Sequence, residues 1–213
     1  MIKFDRTLIP ASPDLTFEIP LCQQGWIVAG LDEAGRGAWA GPVVAAAVIL
    51  PPETGILDRL SGVRDSKQLK PAERSRLAGI IQRETSWGIG SANNLEIDEL
   101  GILPSTRLAM SRALQALFRP PDILLLDALF LPDESFPQVS LIKGDQRSLS
   151  IAAASILAKT ARDDLLVQAG VDYDMYGFGT HKGYGTRKHL QALQQYGPCP
   201  LHRCSFRPIS EIK

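Results

Sequence analysis

Residues 27–37 read Ile-Val-Ala-Gly-Leu-Asp-Glu-Ala-Gly-Arg-Gly, an apolar run that ends in two adjacent carboxylates and a glycine-flanked arginine. A run this apolar belongs in a buried strand, and two acids at its end are costly there unless positive charge sits on them. Carboxylate oxygens suit hard divalent cations such as Mg²⁺ or Mn²⁺. The glycines strip side chains from the backbone that follows, so its N–H groups can approach a polar ligand closely. An acidic metal site beside such a turn points to chemistry on a phosphate.

The rest of the chain supplies elements to surround this strand. Residues 26–31 and 43–50 read as two buried strands joined by a glycine-rich turn, and Pro51-Pro52 ends the second. Pro71 opens a helix over 71–81 with Leu77, Ile80 and Ile81 on one side. Residues 87–92 form a third strand. Residues 95–118 have a helical pattern interrupted at Pro104, with Leu108, Leu114 and Leu117 on one stripe. After Pro120-Pro121, residues 123–127 are apolar on both faces until Asp127, as in a strand buried mid-sheet between helices. A fifth strand over 139–142 ends at Lys143-Gly144-Asp145. Residues 151–159 form a helix whose small side chains allow close packing on a sheet, and 186–196 is a last helix stopped by Gly197 and Pro198. The elements predict an α/β sandwich with a five-stranded mixed sheet flanked by helices. Residues 1–24, with three prolines and no periodicity, read as an irregular lead-in. Residues 25–213 read as a single domain that includes a small C-terminal helical extension.

With 213 residues, 45% of them hydrophobic, the chain can bury a sizeable core. Net charge is zero, yet residues 143–213 hold 10 basic residues against 6 acidic, while 1–142 hold 13 against 17. The basic C-terminal third could face a polyanion, or be no more than a solvated surface. Three cysteines do not make a disulfide framework. The N-terminus lacks a basic start followed by an apolar segment, and the longest apolar run, 43–50, is too short to span a bilayer. A reduced, soluble, cytoplasmic protein that does not engage a membrane is expected, with a monomer as the default state.

Four acids share one context. Asp32 and Glu33 end the first strand, Asp127 ends the fourth, and Asp145 follows the fifth. If strands one and four are neighbours, these carboxylates meet at one edge of the sheet, where open α/β sheets hold ligands. Adjacent strand residues point to opposite faces, so Asp32 and Glu33 cannot both aim inward from ideal geometry. Either the strand breaks at Glu33, which Ala34-Gly35 permits, or Glu33 contributes through its backbone carbonyl. A lone Asp at a strand end is more often a cap or turn residue. Four acids without nearby basic partners in sequence favour a metal site, because crowded carboxylates repel until a cation neutralises them.

The blocks Gly30-Leu-Asp-Glu-Ala-Gly-Arg-Gly37, Gly41-Pro-Val43, Asp65-Ser-Lys67 and Lys143-Gly-Asp145 resemble those of ribonuclease HII. So do residues 151–159, Arg162-Asp163, His181-Lys-Gly-Tyr-Gly-Thr186 and His202-Arg203, and the match runs in family order over roughly residues 26–208. The resemblance implies a ribonuclease H-like fold. It also implies an endonuclease that cuts RNA in RNA–DNA hybrids, or 5′ of a ribonucleotide embedded in duplex DNA, leaving 3′-hydroxyl and 5′-phosphate ends. Asp32, Glu33, Asp127 and Asp145 map onto the family's catalytic carboxylates, with Asp32, Glu33 and Asp127 as metal ligands. Mn²⁺ or Mg²⁺ would be the cofactor, two ions about 3.5–4 Å apart stabilising the attacking and leaving oxygens. Gly35, Arg36, Gly37 and Tyr184 map onto the means of telling RNA from DNA, which must read the 2′-hydroxyl. Ser66 and Lys67 resemble backbone-phosphate contacts, which position a duplex without reading sequence.

Two departures stand out: Ala38 replaces a usual proline, which would loosen the turn, and Ala128 a common glycine, which would crowd the metal edge. Without the resemblance, Tyr184 reads as a half-buried surface tyrosine, Arg36 as a solvated side chain, and Ser66-Lys67 as an exposed turn. Asp163 is explained by a helix-end ion pair with Arg162 or a neighbour. His181 reads as a hydrogen-bonded loop histidine before a proton donor. Cys199, His202 and Cys204 lack a convincing fourth zinc ligand, since only the remote Cys22 could complete the set. Two other functions compete: a catalytically silent nucleic-acid-binding module, which the intact acids disfavour, and a metal-free glycosidase using two carboxylates.

Overall fold

The apolar runs become the strands of one mixed sheet: β1 (Val28–Ala34), β2 (Val43–Ile49), β3 (Ser86–Ala92), β4 (Ile123–Asp127) and β5 (Gln138–Leu141). Their order is β3-β2-β1-β4-β5, antiparallel across β3, β2 and β1, and parallel across β1, β4 and β5. The computed structural model describes residues 4–53 and 55–212. The helices are α1 (Glu18–Gln23), α2 (Ile56–Arg59), α3 (Pro71–Glu84), α4 (Asn94–Leu100), α5 (Ile102–Gln115), α6 (Leu149–Asp172), α7 (Phe178–His181) and α8 (Arg187–Tyr196).

Strand parity sets the layers. Leu31, Ala45, Ala47, Leu124 and Leu126 pack against Ala109, Met110 and Ala113 of α5. Ala46 and Val48 face the other way, onto Ala153, Ile156 and Leu157 of α6, with Leu77 and Ile81 of α3 beside them. Gly30 lies beneath the start of α6, where a Cβ would overlap the Ser150 backbone. The close approach explains why this strand carries glycine two residues before Asp32.

Four expectations change in detail. β1 runs on to Ala34, because Asp32, Glu33 and Ala34 stay paired with Ala46, Ala45 and Val44 of β2. The long helical pattern breaks at Gly101, whose φ of +83° starts a new direction between α4 and α5. Pro104 sits in the first turn of α5, where its missing N–H has no helical partner to lose. α6 extends to Asp172, far beyond the stretch read as helical.

The lead-in is also not wholly irregular. α1 buries Glu18, whose Oε1 accepts from Ser148 Oγ (2.6 Å), Ser150 N (3.0 Å) and Ser150 Oγ (2.7 Å). A carboxylate there meets the free N–H groups and positive end of the α6 dipole. Burial still pushes the Glu18 pKa up, against those hydrogen bonds.

Leu166 of α6 and the C-terminal residues Tyr176, Phe178, Leu193 and Ile209 form a separate core with Ala40. Single bridges tie it to the segment after β1: Ala38 to Tyr184, and Ala40 to His202. No helix of the described residues is long and apolar enough to cross a membrane.

Candidate active site

The carboxylates meet because two parallel strands share a register. Gly30 pairs with Leu125 and Leu31 with Leu126, so Asp32 within β1 comes beside Asp127 at the end of β4. Leu31 and Leu126 both face α5, and alternation turns the next residue of each strand toward α6. Asp145 arrives from a short 3₁₀ turn after β5, Gly144–Gln146, which follows Lys143 at φ +56°. The Gly144 N–H donates to Asp127 Oδ1 at 2.7 Å and locks that turn onto the strand end. One oxygen from each of Asp32, Asp127 and Asp145 then lies within 4.8 Å of the others.

Electrostatics make this group unstable by itself. Asp32 is 4% exposed, and burial, then the charges of Glu33 and Asp127, push its pKa well above the ordinary value. Burial also raises Asp127, against the Gly144 hydrogen bond. Asp145 is pushed up to about 6, by burial first and by Asp127 and Asp65 next. A divalent ion would reverse all three shifts. Oxygens around one Mg²⁺ at about 2.1 Å lie at most about 4.2 Å apart, so small side-chain adjustments would close the group on an ion. The donor set fits a hard cation.

Glu33 behaves differently. β1 does not break there, so its side chain and that of Asp32 leave the strand on opposite sides. Glu33 Oε1 pairs with Arg36 Nη1 at 3.2 Å, while Oε2 is buried with no hydrogen-bond partner. Burial raises its pKa, opposed by Arg36. The group of three therefore contains Asp145 in place of Glu33.

A cleft adjoins the carboxylates, lined by Glu33 to Gly37, Ser66, Lys67, Lys159 and Tyr184. Gly35 has a φ of +96°, and the Ala38 N–H closes the turn onto the Gly35 carbonyl at 3.3 Å. Proline at 38 could not donate that bond, so Ala38 does not leave the turn loose. Lys67 reaches out with its Nζ 4.0 Å from Asp145 Oδ2. Burial works against the Lys67 ammonium, but Asp145, Asp32, Asp65 and Asp127 outweigh it and raise its pKa. Ser66, by contrast, is buried: its Oγ lies 2.9 Å from Ser155 Oγ and its carbonyl accepts from Arg74. Half-buried Tyr184 has Lys159 Nζ and Arg162 Cζ each 5.1 Å from its ring centre.

Asp65 and Asp163 make contacts at the site that the sequence alone does not assign to them. Asp65 accepts from the Lys67 N–H (2.9 Å) and from Gln146 Nε2 (3.3 Å), joining the Ser66-Lys67 turn to the Asp145 turn. Asp163 pairs with Arg74 (2.9 Å) and Lys159 (2.7 Å). Lys159 is the neighbour expected to pair with it, whereas Arg162, the other expected partner, donates to main-chain carbonyls. The signal was helical spacing: Ser155, Lys159, Arg162 and Asp163 recur on one face of α6.

The histidines are spent on one another and on main chain. His181 Nδ1 accepts from the Gly183 N–H (3.2 Å) and its Nε2 meets the Tyr176 carbonyl (2.7 Å), as a loop histidine should. His202 Nδ1 accepts from the Cys199 N–H (2.9 Å), so its Nε2–H donates to His189 Nε2 (3.0 Å). His189 Nδ1–H then donates to the Tyr184 carbonyl (3.0 Å). This relay needs both rings neutral, and burial pushes His189 down to about 4.

A family model described as Ribonuclease HII matches residues 29–209. The ribonuclease HII of Chloroflexus aurantiacus is 53% identical over 202 residues, covering 93% of this chain and 95% of that one. The ribonuclease HII of Lactobacillus johnsonii is 47% identical over 212 residues, covering 99% and 83%. Among solved structures, ribonuclease H2 from Pyrococcus horikoshii OT3 superposes with a TM-score of 0.70 at 27% identity, covering 87% of this chain and 96% of that one. The ribonuclease HII of an Archaeoglobus fulgidus complex with PCNA reaches 0.73 at 24% identity, covering 88% and 97%, and shares the fold. Matched over nearly its whole length in sequence and in fold, the chain belongs to the ribonuclease HII family and is an endoribonuclease.

Proposed function

We propose that the protein hydrolyses the RNA strand of RNA–DNA hybrids and incises 5′ of single ribonucleotides in duplex DNA, by two-metal-ion catalysis with Mn²⁺ or Mg²⁺. The observation that carries this reading is the approach of Asp32, Asp127 and Asp145 within 4.8 Å beside a cleft lined by a bare-backbone turn. Bound divalent ions supply charge that stabilises the attacking and leaving oxygens of a phosphodiester, giving 3′-hydroxyl and 5′-phosphate ends. Asp32, Asp127 and Asp145 hold the ions. Glu33 joins them through its unpartnered Oε2 or its carbonyl, once Arg36 turns from it toward the substrate.

The remaining residues hold the duplex. Lys67 and Arg36 attract the phosphates next to the scissile bond. Ser66 contributes its main chain, since its hydroxyl is engaged by Ser155. The N–H groups of Gly35, Arg36 and Gly37 bond the 2′-hydroxyl, and Tyr184 stacks on the adjoining sugar. Residues 25–213 form the catalytic unit.

The test is incubation with duplex DNA carrying one ribonucleotide, and with the same duplex lacking it, in Mn²⁺ or Mg²⁺ and then in EDTA. Cleavage 5′ of the ribonucleotide that stops on chelation is the expected result. Cleavage that survives EDTA, or that ignores the ribonucleotide, would overturn the reading.

A further inference from the structure

Two arginines lie in the seam between the sheet and the C-terminal helices, and the chemistry above does not use them. Arg162 and Arg203 are both 0% exposed. Among the described residues, neither has a carboxylate within ion-pair distance. Arg162 donates from Nε to the Pro42 carbonyl (2.9 Å), from Nη1 to Lys182 (2.9 Å) and from Nη2 to Ala40 (3.0 Å). Arg203 donates from Nε to the Gly41 carbonyl (3.0 Å) and from Nη1 to Arg36 (2.9 Å), and its Nη2 is buried without a partner.

Taking a guanidinium out of water without a counter-ion is costly, and apolar side chains of similar volume would fill the seam at less cost. What an apolar side chain cannot do is hold main-chain oxygens at fixed spacing from a rigid planar fork. The oxygens held here belong to two segments. Arg36 lies in the Gly35–Gly37 turn, Ala40, Gly41 and Pro42 follow soon after it, and Lys182 lies two residues before Tyr184. Gly35 completes the contact, since a Cβ there would overlap the Arg162 guanidinium. The same guanidinium lies 5.1 Å from the Tyr184 ring centre, and Ala38 bridges to Tyr184. One fork therefore touches the turn, the loop and the ring.

We infer that Arg162 and Arg203 are positioning residues that fix the separation between the Gly35-Arg36-Gly37 turn and Tyr184, and with it the fit of the slot around a ribose. The inference rests on the ribose-reading assignment proposed above. Burial, then repulsion from Arg162, pushes Arg203 down to about 9, which leaves it charged at neutral pH. Lysine in either place keeps the charge but has one compact ammonium, which cannot span the carbonyls the fork holds.

The experiment compares full-length wild type with Arg162→Lys and Arg203→Lys. It measures kcat and KM on a DNA duplex holding one ribonucleotide, and the inhibition constant of the all-DNA duplex. The variants should raise KM for the ribonucleotide duplex by about tenfold or more, because small misplacements of positioning groups are that expensive. Inhibition by all-DNA duplex should change by less than about twofold, since phosphate contacts carry no sugar information. A folded variant that keeps the wild-type ratio of these constants overturns the inference. Should either variant lose cooperative unfolding, the Nε–H signals of both arginines in wild type decide by NMR. They should exchange slowly and shift with the ribonucleotide duplex but not with the all-DNA duplex; signals indifferent to both overturn the inference. Wild type that shows no preference between the duplexes would instead overturn the ribose-reading assignment, and the purpose of the clamp with it.

Discussion

The carboxylate group and the adjoining cleft touch at Glu33 and Lys67, yet they are assembled by different means. Register between β1 and β4 and the alternation of side chains put Asp32 beside Asp127, and the turn after β5 brings Asp145 to them. Little else is needed beyond the Gly144 N–H that holds the Asp145 turn. The cleft comes from segments far apart in the chain, residues 35–42 and 182–184, held by side chains of α6, α8 and the C-terminal turns. A metal site of this kind follows from the sheet, whereas the selectivity proposed for the cleft would depend on long-range contacts made later in the chain. Changes to the first region should stop chemistry, and changes to the second should blur the choice of substrate.

Asp127→Asn is the most severe way to separate the two. Cleavage should fall about a thousandfold, a loss of ~4 kcal/mol in charge stabilisation. Binding to the ribonucleotide duplex should persist, since the cleft is untouched. Asparagine keeps an oxygen for the Gly144 N–H and removes one of three mutually repelling charges. Metal-free stability should therefore rise by about 1 kcal/mol, or roughly 2–4 °C in Tm. Rate, duplex affinity and a thermal scan on one preparation check all three. A variant cutting at the wild-type rate would remove Asp127 from the metal site.

The same contrast explains what was legible in the chain. The sheet, its mixed pairing and the convergence of Asp32, Asp127 and Asp145 follow from apolar runs ending in acids, because register and parity are local rules. The outcome at Glu33 was not legible: whether β1 breaks there depends on its pairing with Ala45, which the partner strand decides. The α4–α5 break at Gly101 was misplaced at Pro104 because proline tolerates a first helical turn. Tyr184, Arg36 and Ser66 gave no physical signal of function alone; the resemblance singled them out. That Ser66 is buried on Ser155 needed the packing of α6 to be known. The partners of Asp163 lie 4 and 89 residues away, and only the nearer has a sequence signal.

Tyr184→Ala should act on the other region. Its rate on a single ribonucleotide should drop about tenfold to a hundredfold through lost positioning. Half-buried Tyr184 contributes little to the core, so thermal unfolding should scarcely move. Tyr184→Phe should keep most of the stacking. Unchanged activity of the alanine variant on that substrate would deny the ring its role.

The regions should also respond oppositely to pH. His189 has a folded pKa of about 4, below the ordinary 6.5, so the unfolded chain binds more protons between these values. That contribution is complete above about pH 6.5 and is lost as pH falls toward 4, by ~3 kcal/mol for this one group. His181 and His202 are shifted the same way by burial. Asp145 is raised from 3.8 to about 6, so the folded state binds more protons in that window. Its contribution is complete below about pH 4 and is lost as pH rises through 6. Without metal, Asp145→Asn should steepen the rise of stability from pH 4.5 to 6.5, and His189→Gln should flatten it. Denaturant midpoints across that range decide, and parallel curves for both variants would contradict the assignment.

The smallest effect belongs to Ala128, which holds φ +47° immediately after Asp127, a conformation that suits glycine. Ala128→Gly relieves left-handed strain of about 1–2 kcal/mol but frees the unfolded chain, for a net gain of roughly 0.5 kcal/mol. Tm should rise by a degree or two at unchanged cleavage rate. A lowered Tm would show that the methyl group packs usefully at the metal edge.

Anomalous diffraction from a crystal of the full chain soaked in Mn²⁺ tests the metal site most directly. The expected map has a peak within about 2.0–2.3 Å of carboxylate oxygens from Asp32, Asp127 and Asp145. Those three side chains standing apart with no peak between them, while the same crystals take up manganese elsewhere, would contradict it.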